Sequence, residues 1–120
     1  MSVDLEGLRT VIYPAPDLDE AKKWWSRLLG VAPYFDEPFY VGFEVAGFEL
    51  GLLPSAPVEE GALTYWGVAD VARAVETAMA EGAAEHAPVA EVGEGIVTAT
   101  VRTPSGAILG FIYNPHFGAT

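Results

Sequence analysis

One glutamate lies inside an apolar stretch that has the pattern of a β-strand, and it is the first candidate for chemistry. Glu49 stands between Phe48 and Leu50. Because side chains alternate between the two faces of a strand, Glu49 shares a face with Gly47 and Gly51 if its neighbours face a helix. In a dry cavity, desolvation raises the pKa of such a carboxyl group, which can then hydrogen-bond a ligand or accept a proton. The alternative is a surface glutamate on an exposed edge.

The two histidines, His86 and His116, have no serine or cysteine nucleophile pattern beside them, and the chain has no cysteine at all. General-base catalysis of a nucleophilic reaction needs such a partner. We expect His86 to be a solvated loop residue after the second helix. We expect His116 to hold the C-terminal segment in place by hydrogen bonds.

Arg102 and Tyr65 are the remaining polar candidates. Arg102 ends a predicted strand beside a turn, where it could pair with an anionic ligand, with Glu49, or with a surface acid. Strand alternation places Tyr65 on the same face as Leu63 and sends Trp66 to the helix side. Tyr65 could therefore stack on a flat ligand or fill an otherwise empty cavity.

Two helices must position these residues. Asp17 and Asp70 stand where N-caps belong, and Gly30 and Gly82 follow the last apolar positions. The spacing of the apolar residues predicts core packing for both stripes, including the adjacent tryptophans of the first. The stripes are Ala21, Trp24, Trp25, Leu28 and Leu29 in the first helix, and Val71, Ala74, Val75, Ala78 and Met79 in the second.

Strand-like runs fill most of the rest and repeat in the same order. The strands are predicted at 8–13, 39–45, 48–53, 63–68, 96–102 and 107–113, with weaker ones at 33–36 and 85–89. We therefore predict an α+β fold, with one domain over residues 1–120. It consists of two tandem βαβββ modules, at about 8–54 and 61–117, whose curved mixed sheets enclose a cavity because each module has a helix for one face only.

Composition narrows the function classes. The 120 residues carry 17 acids and 6 bases, a net charge of −11, which repels nucleic-acid phosphates and anionic lipids. Neither nucleic acid nor a membrane is therefore predicted as a partner. No apolar run reaches the roughly 18 residues that a membrane span needs. The acidic N-terminus also lacks the pattern of a signal peptide, so we expect a cytoplasmic protein.

Three segments carry a resemblance to a known family. Residues 11–30, 67–82 and 95–117 resemble the vicinal oxygen chelate superfamily, which includes glyoxalase I, extradiol dioxygenases, and bleomycin- and fosfomycin-resistance proteins. The last segment, with its Pro-x-Gly turn, is similar to the closing hairpin of that family. The resemblance implies the paired-module fold and a homodimer, as is usual for single-domain members.

The resemblance also implies where a divalent metal would be held. The four ligand positions of the family fall on Thr10, Glu49, Leu63 and Gly110. One strong ligand out of four does not hold a cation, since even a site with an open position needs about three. Glu49 then has a third interpretation, as the remnant of such a site. We predict no metal and no cofactor, and enzymatic activity is not favoured.

The resulting hypothesis is a metal-independent small-molecule binding protein of the bleomycin-resistance type, for an apolar or aromatic compound that is neutral or cationic. The alternative is a metal-dependent glyoxalase-like lyase, isomerase or dioxygenase with a degenerate ligand set, and the third is a purely structural or interaction role. The predicted cavity residues are Thr10, Ile12, Glu49, Leu63, Tyr65, Arg102, Ile108 and Ile112.

Overall fold

The computed structural model describes residues 2–117 and divides them into two compact units. The first unit comprises residues 10–63, and the second unit comprises residues 2–9 together with 64–117. Two α-helices and eight strands follow one another in the order β-α-β-β-β-β-α-β-β-β. The α+β class and the repeated βαβββ pattern are confirmed.

The first unit is built around one helix and a four-stranded arrangement. Its elements are β1 (Leu8–Pro14), whose first two residues belong to the second unit, α1 (Leu18–Leu29), β2 (Phe35–Glu37), β3 (Tyr40–Val45), β4 (Phe48–Leu53) and a short 3-10 turn (Val58–Glu60). The strands are ordered β2-β3-β4-β1, and only the β1–β4 pair is parallel. The Asp17 carboxylate accepts a hydrogen bond from the Glu20 N–H, and Gly30, at φ 73°, ends the helix in the left-handed conformation.

The helix-facing side of the first unit is its apolar core. Leu50 and Leu52 of β4 pack there with Val41 and Phe43 of β3, and α1 covers them. Since residues alternate along β4, Glu49 and Gly51 lie on the opposite face. The predicted orientation of Glu49 away from the helix is confirmed.

The prediction that both tryptophans of α1 pack in the core is wrong for one of them. Trp25 packs against the core together with Ala21 and Leu29, whereas Trp24 is 49% exposed and Leu28 is 60% exposed. The apolar stripe of α1 is wider than the part of the helix that the sheet covers. Adjacent helical residues point about 100° apart, so Trp25 faces the core while Trp24 packs edge-on against the Trp25 ring from the exposed side, with ring centroids 5.1 Å apart.

The second unit repeats the arrangement. Its elements are β5 (Leu63–Gly67), α2 (Val71–Ala80), β6 (Ala84–Gly93), β7 (Ile96–Arg102) and β8 (Ile108–Tyr113), with strand order β5-β8-β7-β6 and a parallel β5–β8 pair. Asp70 caps α2 by accepting a hydrogen bond from the Arg73 N–H. Phe111 and Val101 are fully buried beneath α2, so the residues next to Phe111 on β8, Gly110 and Ile112, face away from the helix.

Within residues 2–117, neither helix is long and apolar enough to cross a membrane.

Candidate functional site

The first unit has a carboxylate that is held by two phenols. The Tyr34 hydroxyl donates a hydrogen bond to Oε1 of Glu49, and the Tyr40 hydroxyl donates to Oε2. Each oxygen of the carboxylate therefore has its own donor. Because a carboxylate oxygen has about two lone-pair sites, both oxygens keep acceptor capacity for a further group.

Two glycines make room for this arrangement. Gly42 of β3 and Gly51 of β4 are cross-strand partners. A Cβ atom on Gly51 would lie 2.6 Å from Cζ of Tyr40, and one on Gly42 would lie 3.3 Å from Cε1 of Tyr34. The two tyrosine rings therefore lie over bare backbone, and a larger residue at Gly51 would push Tyr40 away from Glu49.

The backbone brings Tyr34 to this place although it precedes β2. Its N–H donates to the carbonyl oxygen of Gly42 at 3.0 Å, which extends the β2–β3 pairing by one residue. Partial burial raises the pKa of Tyr34 above its ordinary value of 10.0, and the hydrogen bond to Glu49 and the charge of Glu49 raise it further. Tyr34 therefore stays protonated and acts as a donor throughout the physiological range.

A second acidic residue lies directly opposite Glu49. The cross-strand partner of Glu49 on β3 is Glu44, whose Oε1 accepts a hydrogen bond from the Gly47 N–H at 2.9 Å. Among the residues that the structure describes in the first unit, no lysine or arginine forms an ion pair with Glu49. Like charges directly opposite each other destabilise a sheet, so this face favours a positive charge.

Aromatic rings continue from the carboxylate along the β2–β3 hairpin. The centroid of Phe35 lies 6.0 Å from that of Tyr40 and 6.0 Å from that of Phe39, at interplanar angles of 58° and 68°. Phe35 is 38% exposed, and Phe39 and Tyr34 are each 63% exposed. A carboxylate beside partly exposed rings can bind a hydrogen-bond donor, a cation or a flat apolar group.

Sequence reasoning found Glu49 but missed Tyr34 and Tyr40. A signal was present in Gly42 and Gly51, because a glycine inside an apolar strand often marks a place where another group approaches the backbone closely. The register of β3 and β4, which places these two glycines opposite each other, could not be predicted from the sequence.

The corresponding face of the second unit carries a different arrangement. Tyr65 and Gly110 are partners in the parallel β5–β8 pair, and a Cβ atom on Gly110 would lie 2.6 Å from Cδ1 of Tyr65. The Tyr65 ring therefore covers the glycine. Burial raises the pKa of Tyr65. Ile108 and Ile112 alternate onto the same face of β8, and this face continues on β7 with Thr98, Thr100 and Arg102.

The prediction of His86 as a loop residue is wrong. His86 lies on β6, which pairs with β7 from Ala84 onward, and its Nδ1 is 2.7 Å from Oγ1 of Thr100. His116 behaves as expected, because its Nε2 lies 2.9 Å from the carbonyl oxygen of Glu94 and ties the C-terminal segment to the β6–β7 turn.

The structure places the predicted cavity residues in two groups. In the first unit, Thr10 is the register partner of Glu49 on β1, and Ile12 lies two residues further on the same face. Leu63, at the first position of β5, also belongs to this unit. In the second unit, Tyr65, Ile108, Ile112 and Arg102 belong to one face of the β5-β8-β7 strands.

Nη1 of Arg102 donates to the carbonyl oxygen of Gly106 at 3.1 Å across the β7–β8 turn. Its pairing with Glu49 stays a prediction. That the two groups of residues line one common cavity also stays a prediction.

The residues at the family's metal positions do not fit a divalent cation. Leu63 and Gly110 have no ligating side chain, and the place where a side chain of residue 110 would project is filled by Tyr65. Of the four positions, Glu49 alone offers a carboxylate, and Thr10 offers only a hydroxyl group. Among residues 2–117, no cluster of three or more histidine, aspartate or glutamate side chains is arranged to hold a metal. A cation needs about three such ligands.

Comparison with solved structures shows the class of fold. The chain has the fold of the vicinal oxygen chelate superfamily, as the sequence resemblance implied. Neither a family model nor a curated protein sequence matches the chain.

Three similar structures illustrate the fold. A glyoxalase/bleomycin resistance protein/dioxygenase superfamily member from Vibrio splendidus has a TM-score of 0.66 at 18% identity, over 89% of this chain and 99% of that one. Methylmalonyl-CoA epimerase from Mycobacterium tuberculosis has a TM-score of 0.67 at 18% identity, over 100% and 96%. A variant of homoprotocatechuate 2,3-dioxygenase from Brevibacterium fuscum has a TM-score of 0.70 at 16% identity, over 94% of this chain and 33% of that one. This fold hosts many reactions, so the function has to be argued from the site.

Proposed function

We propose that the chain is a metal-independent small-molecule binding protein, and that it takes an apolar or aromatic compound, neutral or cationic, on the face of the first unit that carries Glu49. One observation carries the proposal. Tyr34 and Tyr40 hold the carboxylate of Glu49, the one carboxylate at the four metal positions, beside exposed aromatic rings. A hydrogen-bonded carboxylate next to apolar ring surface supports an organic ligand.

The overall charge supports the same class of ligand. A net charge of −11 creates a negative potential that attracts cations and repels anions. We therefore expect anionic aromatic compounds to bind weakly. Aromatic side chains at the site supply large contact areas at a low cost in conformational entropy.

The metal-dependent alternative lacks support from the residues present. A lyase, isomerase or dioxygenase of this fold class would need ligands at Leu63 and Gly110 that the chain does not have. We also propose a cytoplasmic homodimer without nucleic-acid or membrane partners. This rests on the family resemblance and the acidic charge, and sedimentation or light scattering at micromolar concentration tests it through the particle mass.

A thermal-shift screen tests the proposal. The wild-type protein is heated with matched neutral, cationic and anionic aromatic compounds, because a ligand that binds the folded state raises the melting temperature by mass action. We expect the neutral and cationic compounds to raise it more than the anionic ones. If no aromatic compound raises it, the proposed function is wrong.

Metal analysis of protein purified without a chelator completes the test. Background levels of zinc, nickel, manganese and iron are expected. A near-stoichiometric metal that is lost in Glu49→Gln, but kept in the exposed control Glu59→Gln, would favour the enzymatic alternative.

A further inference from the structure

We infer that the ligand of the first unit carries a protonated amine, which binds to Glu49 through N–H hydrogen bonds, and that its apolar part lies on the rings of the β2–β3 hairpin. This inference rests on the proposed function and narrows it to one class of compound, the aryl-alkyl amines.

The hydrogen bonds at Glu49 fix the orientation of its carboxylate but leave some of its acceptor sites unused. Tyr34 and Tyr40 each use one lone-pair site of the carboxylate, and each oxygen retains another. The same two bonds fix the orientation of the carboxylate before a ligand arrives, so a ligand need not pay the entropy of ordering it. Among the described residues of the first unit, no donor besides the two phenols hydrogen-bonds this carboxylate, so the N–H bonds of a ligand can use the remaining acceptor sites.

The charges select a donor that is positive. Glu49 lies opposite Glu44, and within the first unit no described lysine or arginine neutralises Glu49 by an ion pair. A neutral hydroxyl would satisfy the acceptors and leave this repulsion in place. An ammonium group offsets it and makes charge-assisted hydrogen bonds, which are roughly twice as strong as neutral ones.

The rings favour an aromatic group over a purely aliphatic chain. The ring of Phe35 is tilted relative to those of Tyr40 and Phe39. Both faces and edges of aromatic rings therefore lie next to the carboxylate. Phe39 is exposed and Phe35 is partly exposed, which leaves apolar surface for a ligand ring to cover. A ring joined to an amine by a short flexible chain can reach this surface and Glu49 together.

A quaternary ammonium group fits less well. It has a positive charge but no N–H donor, so it gains only the attraction of the ring faces. The remaining acceptor sites on Glu49 would then face methyl groups and lose water without compensation. Comparing the affinities of a primary amine and its quaternary derivative therefore shows whether hydrogen bonding to Glu49 or attraction to the ring faces dominates binding.

The test is isothermal titration calorimetry with three probes of one shape: 2-phenylethylamine, its N,N,N-trimethyl derivative and 2-phenylethanol. At pH 7, we expect the wild type to bind the amine at least about tenfold more tightly than the alcohol or the trimethyl compound, a difference of about 1.4 kcal/mol. Glu49→Gln should reduce the affinity for the amine to that for the alcohol. The exposed Glu59→Gln, which removes the same charge from the same unit, should change it by less than about twofold.

The outcomes separate this inference from the proposed function. Equal binding of the amine and the alcohol overturns the amine assignment and leaves aromatic binding intact. Binding of the trimethyl compound as tight as that of the amine also overturns it and indicates ring attraction alone. If none of the probes binds but other aromatic compounds stabilise the protein, this inference is wrong and the proposed function still holds. If no aromatic compound stabilises it, both fail.

A second measurement needs no variant, in case Glu49→Gln does not fold. The affinity of the wild type for the amine should fall as the pH rises through the pKa of the amine, which is about 10 as for a lysine side chain, while the affinity for the alcohol stays constant. An unchanged affinity for the amine across this range would contradict the inference.

Discussion

The two units of this chain have the same elements and differ on one face. In the first unit, the parallel β1–β4 pair places Thr10 opposite Glu49, and tyrosines from elsewhere in the unit hold that glutamate. In the second unit, the parallel β5–β8 pair places Tyr65 opposite Gly110, and the tyrosine covers the glycine. One face thus presents a carboxylate and the other presents a ring.

The helix-facing sides of the two units are alike because each packs against one helix to form an apolar core. Leu50 and Leu52 of β4, and Leu109 and Phe111 of β8, alternate toward a helix and form the core. The opposite face is not needed for that burial, so its residues are free to serve binding. The core and the candidate site of the first unit therefore lie on opposite faces of the same strands.

The largest expected effects lie on the shared, helix-facing side. Phe43→Ala in the first unit and Phe111→Ala in the second should each lower the free energy of unfolding by about 3–5 kcal/mol, because both side chains are fully buried. Urea denaturation checks this. A loss below about 1 kcal/mol in either variant would show that the two cores are not equivalent.

The next effect contrasts the two glycines under the tyrosines. Gly110→Ala should cost about 3 kcal/mol, the upper end for overpacking, because the new Cβ would lie 2.5 Å from the backbone oxygen of Thr64. Gly51→Ala should cost about 1 kcal/mol, since the group it meets is the mobile end of Tyr40.

Amine binding should be affected more by Gly51→Ala than by Gly110→Ala, the reverse of the order for stability. Gly51→Ala displaces Tyr40 from Glu49, so it should weaken amine binding. Unfolding curves and calorimetry on the same preparations measure both effects. Equal stability losses, or full amine affinity in Gly51→Ala, would contradict the assigned roles of the glycines.

Alkaline pH should test the tyrosines of both faces. The pKa values of Tyr34 and Tyr65 are raised in the folded protein, so the folded state keeps protons that the unfolded state loses above pH 10.0. Their contribution to stability is therefore complete below that pH and is lost as the pH rises. Tyr34→Phe and Tyr65→Phe should each make the decline shallower in urea unfolding at pH 9–11. A decline as steep as that of the wild type would contradict this.

The smallest effect is expected at Glu49 itself. Glu49→Gln should change the free energy of unfolding by less than about 1 kcal/mol, because the amide can still pair with a phenol and the repulsion from Glu44 disappears. The change is measured against Glu59→Gln by thermal and urea unfolding. A loss above about 3 kcal/mol would mean that Glu49 is a structural residue.

The helix-facing half of the fold could be predicted from the sequence because it depends on local patterns. Asp17 and Asp70 cap the helices as expected, and alternation along β4 placed Leu50 and Glu49 on opposite faces. Such patterns are readable because the core requires a period of two or 3.6 residues. Trp24, Leu28 and Met79 are exceptions, since the width of a stripe does not show how much of it the sheet covers.

The site could be predicted only in part, because its contacts are not local. Tyr34 is 15 residues from Glu49 in sequence and Tyr40 is 9 residues away. Both reach the carboxylate through the β2–β3–β4 register, which depends on turn geometry and on the pairing of Gly42 with Gly51. The glutamate within an apolar strand could be recognised from the sequence as a candidate site residue. Its hydrogen-bond partners, Tyr34 and Tyr40, could be identified only from the structure.

The central claim is that the face of the first unit that carries Glu49 binds an organic ligand without a metal. Its most direct test is calorimetric titration of an aromatic amine into wild-type protein before and after exhaustive chelation, and again after addition of manganese or zinc. We predict that the affinity stays within about twofold in all three conditions, because no ligand contact passes through an ion. Binding that disappears on chelation and returns with metal would contradict the claim.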